Sequence, residues 1–561
     1  MNIKTLLSIG ATAAILAGCN GGDIKIAPTT STVDNSVDNS VTSGGTSPDS
    51  VCASYVTTGG TTVRGKFESA TNNCRYTEAF VSSTNRLHYD LTIPALANNG
   101  AHVFEGSLFV GETYDNDADM AAAGITQGGD GPTLTIEAGA TLAFQSQKQF
   151  LVINRGSQII AQGREDLPIT ITSVSDVSGF LLTPEDVSQW GGVVINGFGI
   201  TNQCVYSGSL AGGDLATTGC HVDAEGSAGN DESQYGGDNN ADNSGVLEYV
   251  IVKHTGAKVG SGDELNGISF GAVGSGTTVN NIEMYSTFDD GVEMFGGAVN
   301  ITNYVAVYVR DDAIDIDEGY SGTFTNALVI QSAADGQNCI ESDGIAGYDD
   351  LDAAARNAVI TQGINSRPTI NNLTCIISPN VGGTHGAGAG WLFREGIWPT
   401  INDSMVIGSF SANDTTSSTD NYCLSIRNAE TLAAAANGDL NLNHVIFACA
   451  ERTTNNPIGA GTEEDFAIAE GAIFANIGDG TAVSASATND PALQLLEGPG
   501  NIFSIDYATS QVDSAVPDAS SDPAPRTYLG ALSLGDLNWT RPWAYGIEDG
   551  NRGEPLWFEG L

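Results

Sequence analysis

The chain has 561 residues, with 67 acidic against 20 basic side chains, a net charge of −47, and 70 glycines against 17 prolines. The length is more than one compact core ordinarily serves. The charge excludes nucleic acid as a partner, because phosphate binding needs clustered Lys and Arg, and it excludes docking on anionic lipid by charge. Excess Gly without excess Pro excludes a collagen-like or Pro-rich chain and points to many tight turns.

Residues 1–18 read as a signal peptide, with Lys4 as the positive end and residues 6–16 as the apolar core. Leu16-Ala17-Gly18-Cys19 matches a bacterial lipobox, which makes Cys19 the expected lipidation site and a diacylglycerol anchor the expected membrane attachment. The apolar core is too short to span a bilayer as a helix. Asn20 after the cysteine, by resemblance to Gram-negative sorting rules, implies an outer-membrane lipoprotein on the cell-surface or periplasmic face. Residues 19–50 are low-complexity and polar with no aromatic, so a flexible tether is expected.

Residues 51–131 have a mixed pattern with a polar insert at 114–131, and are expected to cap the fold at its N-terminal end. From 132 to 527, short alternating or apolar runs bounded by Gly, Asn and Asp read as strands. Residues 349–356 and 429–436 are the expected short helices, and 528–561 the expected C-terminal cap.

The clearest signal is a threefold repeat. Asn281, Asn303 and Asn326 lie 22 and 23 residues apart, as do Asp290, Asp312 and Asp335. A period this short suits one coil of a β-solenoid. An apolar-x-Asn/Asp pattern recurs at 279–281, 301–303, 324–326, 370–372 and 401–403, read as strand entrances. Stacking would set the Asn amides in a ladder, each bonding the next.

Setting aside Cys19, eight cysteines remain. An even count outside the cytoplasm implies disulfides. Pairing sequence neighbours gives Cys52–Cys74, Cys204–Cys220, Cys339–Cys375 and Cys423–Cys449. CxxC is absent, and the six histidines neither cluster nor form HExxH, so zinc is not indicated.

The repeat also concentrates acids. Asp290/Asp312/Asp335 and Glu293/Asp315/Glu341 form two expected columns, with Asp289, Asp311, Asp317 and Asp343 nearby. Stacked positions about 4.8 Å apart would make two ionised carboxylates repel by roughly 3.5 kcal/mol at an effective dielectric near 20. Relief comes from splaying into water, a raised pKa or a bound cation. Hard oxygen donors at this density suit Ca²⁺. Acids bonding within turns and catalytic carboxylates are the alternatives. The stretches 115–119 and 238–244 alternate oxygen donors as well, without EF-hand Gly and Glu positions. Gly267-Ile-Ser-Phe-Gly271 matches G-x-S-x-G, but no helix pattern follows as a nucleophile elbow requires.

For an enzyme, Asp311-Asp312-Ala313-Ile314, His385-Gly386 and Arg394 resemble elements of polygalacturonases in order but not in spacing, since His385 lies 73 residues beyond Asp312. Arg310 and Arg394 are the bases a lyase could use. Other strings are WGGVVING at 190–197, YGG at 235–237, GVLEYV at 245–250, ELNGISFG at 264–271, DDGVEMFGG at 289–297, DDAIDID at 311–317, YLGA at 528–531 and NW at 538–539. Together they resemble a family of Gram-negative surface lipoproteins over roughly residues 130–545. The resemblance implies an all-β, right-handed parallel β-helix of pectin-lyase-like type, and it carries over no reaction and no catalytic residues. It also implies an outer-membrane receptor as a neighbour. The expected function is a lipid-anchored, Ca²⁺-binding β-helix presenting loops to a glycan or protein partner. The alternative is a polysaccharide lyase or glycoside hydrolase.

Overall fold

A computed structural model describes residues 48–225, 233–260, 263–380, 383–408, 421–449 and 451–474, with the short stretches 495–497, 503–505, 529–532, 539–547 and 556–557. The expected signal peptide, Cys19 and all but the last residues of the tether lie outside the described residues. Among the described residues no helix is long and apolar enough to cross a membrane.

Among the described residues two ladders, of sixteen and ten strands, form a parallel β-helix. Each central coil gives one long strand to the first ladder and one short strand to the second. Thus Thr278–Tyr285, Asn300–Val307 and Thr323–Ile330 stack in register. Val292–Phe295, Ile314–Asp317 and Asn338–Asp343 do the same on another side. One repeat is one coil, as the sequence period predicts.

The repeated asparagines lie inside the long strands, not at their entrances. Asn281, Asn303, Asn326 and Asn372 have φ of 53, 58, 59 and 58°, a left-handed conformation that Asn tolerates better than most residues. The kink turns a corner and resets the inward–outward alternation. Val279, Ile282 and Met284 all reach the core, whereas Glu283 and Tyr285 face the other way, onto a separate flank. The amide ladder forms over three coils: Asn303 Nδ2 donates to Asn281 Oδ1 at 3.0 Å and Asn326 Nδ2 to Asn303 Oδ1 at 2.9 Å. It stops there, because the Asn372 side chain has no hydrogen-bond partner. A second ladder one position earlier links Asn371, Asn402 and Asn443 at 2.8 and 2.9 Å.

Inside the coils, matching positions stack apolar on apolar: Ile268, Val292, Ile314, Ile340, Trp391 and Leu424 are consecutive in register. All are fully buried, each contributing roughly 1.5–3 kcal/mol. Toward the N-terminal end the stack becomes aromatic, with Tyr76, Phe104, Phe144 and Trp190 at centroid spacings of 4.7, 5.4 and 4.7 Å. The ladders begin before residue 132: Asn73–Tyr76 and His102–Phe104 already belong to the larger one and Leu108–Val110 to the smaller.

All four expected disulfides are present. Cys339–Cys375 and Cys423–Cys449 join core residues, stapling coils from within. The helix expected at 349–356 is shifted to Ala353–Gln362, because Asp352 caps it by accepting from the Ala355 amide at 2.9 Å. That at 429–436 is found as Ala429–Asn437.

The described residues of 528–561 run along the flank. Gly530 N donates to Asp403 O at 2.8 Å, Tyr545 N to Glu283 Oε2 at 2.7 Å and Trp557 Nε1 to Gln331 O at 2.9 Å. They cover outward side chains including Ile251, Tyr285, Val307 and Ile330, forming a second apolar layer outside the coils.

Candidate functional site

The acids of the repeat gather at the turn leading into the short strands and on the outward face of those strands. In the turn, each member of one column accepts from the backbone of the next coil. Asn266 Oδ1 accepts from Asp290 N at 3.2 Å, Asp290 Oδ1 from Asp312 N at 3.0 Å, and Asp312 Oδ1 from Asn338 N at 2.6 Å. The third member is thus Asn338, not Asp335. Ile314 pairs with Ile340, and Asp312 stands two residues before Ile314 while Asp335 stands five before Ile340. The three extra residues push Asp335 out into the turn. There it meets His385, whose Nδ1 is 3.6 Å from Asp335 Oδ2 and whose Nε2 is 3.8 Å from Asp311 Oδ2.

The second column stands in register: Glu293 pairs with Asp315 and Asp315 with Glu341. Glu293 Oε2 accepts from Asn266 Nδ2 at 2.5 Å, and Glu341 Oε2 from Asn338 Nδ2 at 2.9 Å. Ser269 begins this column on Ile268–Gly271 and accepts from Asn266 at 3.0 Å. Its strand leads into no helix, consistent with rejecting the nucleophile elbow.

Two ends of the cluster differ in charge. At one end Arg394 pairs with Glu341 and Asp343, reaching Asp343 Oδ2 at 2.9 Å. Burial opposes its charge, but the Asp343 hydrogen bond and both carboxylates hold the guanidinium above its ordinary pKa. Asp317 lies beside this pair, and Glu395 is pushed up to about 7 by burial and then by Asp343. At the other end, donor oxygens of Asp289, Asp290 and Asp311 lie within 4.8 Å of one another, as do those of Asp290, Glu293 and Asp315. The two triads share Asp290.

Burial is the main force on these acids. Asp290, Glu293, Asp312, Asp315 and Asp317 are all raised well above the usual carboxylate range, first by desolvation and then by neighbouring carboxylates. Glu341 is raised by burial against the pull of Arg394. A bound cation would relieve both the burial penalty and the mutual repulsion. Oxygen-only donors in overlapping triads fit a hard divalent ion such as Ca²⁺ and offer none of the nitrogen or sulfur zinc prefers. Of the ten acids expected as metal ligands, five form the triads. Asp312 bonds backbone, Glu341 and Asp343 pair with Arg394, Asp317 lies beside them, and Asp335 meets His385.

Beside the triads opens a cleft of about 420 Å³ lined by Glu225, Lys258, Phe288, Asp289, Asp311 and His385, with Thr384. The His385 ring packs edge-on against Phe288 at 4.6 Å. The long sequence gap to His385 is closed because the loop before Ala389–Arg394 folds back over the turn. Arg310, by contrast, is tied to Glu185 at 2.8 Å, so both arginines considered as bases are held in ion pairs. Glu225 stands on a side loop and Lys258 opens the short strand Lys258–Gly260 of a side hairpin, with no periodic signal to mark them. In the two other acidic stretches, single residues make hydrogen bonds. Asn116 caps helix Asp117–Ala122, and Asp242 accepts from Gly128 N at 2.8 Å and Phe198 N at 3.2 Å.

Comparison with curated proteins and with solved structures returned no match. A family model described as "Pectate-lyase like beta helix domain" matches residues 111–489, more than half of the chain and most of both ladders. The chain belongs to the pectate-lyase-like β-helix domain family.

Proposed function

We propose that the protein is a lipid-anchored β-helix of the outer membrane that binds a divalent cation, Ca²⁺ by its donor chemistry, and presents side loops to a glycan or protein partner. The observation that carries the cation is the pair of carboxylate triads sharing Asp290. Two ionised carboxylates within 4.8 Å of each other repel by roughly 3.5 kcal/mol or more at an effective dielectric near 20, and a doubly charged ion between them reverses that sign. The anchor rests on Leu16-Ala17-Gly18-Cys19, and four disulfides fit an oxidising compartment. Calorimetric titration with CaCl₂ tests the cation: saturable heat and a higher melting temperature are expected, both lost in Asp290→Asn. No heat and no shift would defeat the reading.

The alternative is a polysaccharide lyase or glycoside hydrolase, and it is favoured by one feature. His385 and Lys258 line the same cleft as Asp289 and Asp311, so proton donors and acceptors share a space open to a substrate. New reducing ends or unsaturated products from a glycan panel, abolished by Asp311→Asn or His385→Ala, would establish it.

A further inference from the structure

A second cleft, of about 460 Å³, opens elsewhere on the molecule, where three elements meet. These are the loop after strand Ile169–Ser173, the outward flank of the coils, and the C-terminal segment that covers that flank. Its size lies within the range of small-ligand sites. Tyr285, Tyr308 and Tyr545 cluster in its lining, with Tyr285 edge-on to both neighbours at centroid distances of 5.8 and 4.8 Å. The C-terminal segment can approach this closely only with glycine at 546. A Cβ there would stand 2.3 Å from the Tyr285 ring, and φ is +75°.

The charge of this cleft is unlike that of the rest of the chain. Its single lining charge is Asp176, which Lys253 Nζ meets at 2.9 Å. The same Nζ lies 3.9 Å from the Tyr545 ring centroid. In a chain of net charge −47, a cleft whose one lining acid is already ion-paired offers no net charge to an ionic ligand. The loop contributes Phe180 and Leu181, 69% and 97% exposed, an apolar rim of the kind that marks a binding surface.

We propose that this cleft binds a neutral oligosaccharide. Phe180 and the half-buried Tyr545 offer ring faces to the C–H faces of pyranose rings, backed by the buried Tyr285 and Tyr308, and tyrosine adds a hydroxyl for the sugar hydroxyls. Asp176 and Thr183 supply further polar groups. A wholly apolar ligand would take the hydroxyls of the lining tyrosines out of water, at a cost. A polyanionic glycan would gain no cation here, because Lys253 is held by Asp176.

The test is calorimetric titration of the full chain with cellohexaose, maltohexaose and mannohexaose, with an oligogalacturonate of similar length as the anionic control. Saturable binding of at least one neutral hexasaccharide is expected, unchanged by chelator and by Asp290→Asn. Phe180→Ala, which removes an exposed ring and leaves the coils intact, and Tyr545→Ala should each weaken it by about tenfold or more. Four results would each overturn the proposal: no neutral hexasaccharide binding, binding of the anionic control alone, binding undiminished in both variants, or binding lost with chelator. The last would transfer the sugar to the acidic edge.

Discussion

Raising the pH should loosen the C-terminal segment from the flank of the helix, and Glu283→Gln should remove most of that effect. Glu283 is 0% exposed beneath the segment. One carboxyl oxygen accepts from Tyr545 N at 2.7 Å and the other has no hydrogen-bond partner. Lys253, the cation that acts on it, is bonded to Asp176, and the tyrosines 285 and 545 complete the surroundings. Burial pushes the Glu283 pKa from 4.5 up to about 8, against the Tyr545 hydrogen bond and the Lys253 charge. Docked, the group keeps a proton that the free carboxyl loses above 4.5. The stability this gives is therefore complete below about 4.5, falls as pH rises toward 8, and levels off beyond it. A shift of this size corresponds to roughly 5 kcal/mol as an upper bound, and local lifting of the segment caps the loss below that. The assay is amide exchange at Tyr545, corrected for intrinsic rates and run between pH 5 and 9 with Trp543 fluorescence in parallel. Wild type should lose protection across this window, and Glu283→Gln, neutral at every pH, should stay nearly flat. Equal protection at both pH values in wild type, or an equal loss in the variant, would refute the reasoning.

Asn303→Ala removes two ladder hydrogen bonds and leaves alanine at φ 58°. A loss of roughly 2–4 kcal/mol is expected in denaturant unfolding, and Asn303→Gly should recover part of it. Replacing Cys339 and Cys375 together by alanine opens a link across 36 residues and should cost about 2–4 kcal/mol in the same measurement. Arg394→Ala strips the counter-charge from Glu341 and Asp343. It should lower stability at neutral pH by roughly 2–3 kcal/mol and by less in acid, where burial favours the neutral form of Glu341. Melting temperatures at pH 4 and 7 would check it.

The architecture was legible because one coil equals one sequence period. Asn281, Asn303 and Asn326 announce the stack, and Glu293, Asp315 and Glu341 fall into register because nothing is inserted between each and its strand. Asp335 failed for the complementary reason: three residues inserted after it break the phase, and Asn338 takes its place. The corner role of the asparagines was hidden, since a left-handed residue within a strand leaves the same apolar-x-Asn signature as a strand entrance. His385 and Glu225 stand on loops and Lys258 on a short side hairpin, whose paths are set by tertiary packing, which no periodicity records. Glu283 is similar. Its neighbours in sequence are ordinary strand residues, and only a segment 262 positions later in the chain buries it.

The most direct test of the central claim is a crystal structure of the chain soaked in CaCl₂, with anomalous scattering used to place the ion. The account predicts a cation held by Asp290 and at least two of Asp289, Asp311, Glu293 and Asp315, at oxygen distances of about 2.3–2.6 Å. Millimolar calcium with no density among these five carboxylates would contradict it, leaving the acids as turn and strand residues of the helix.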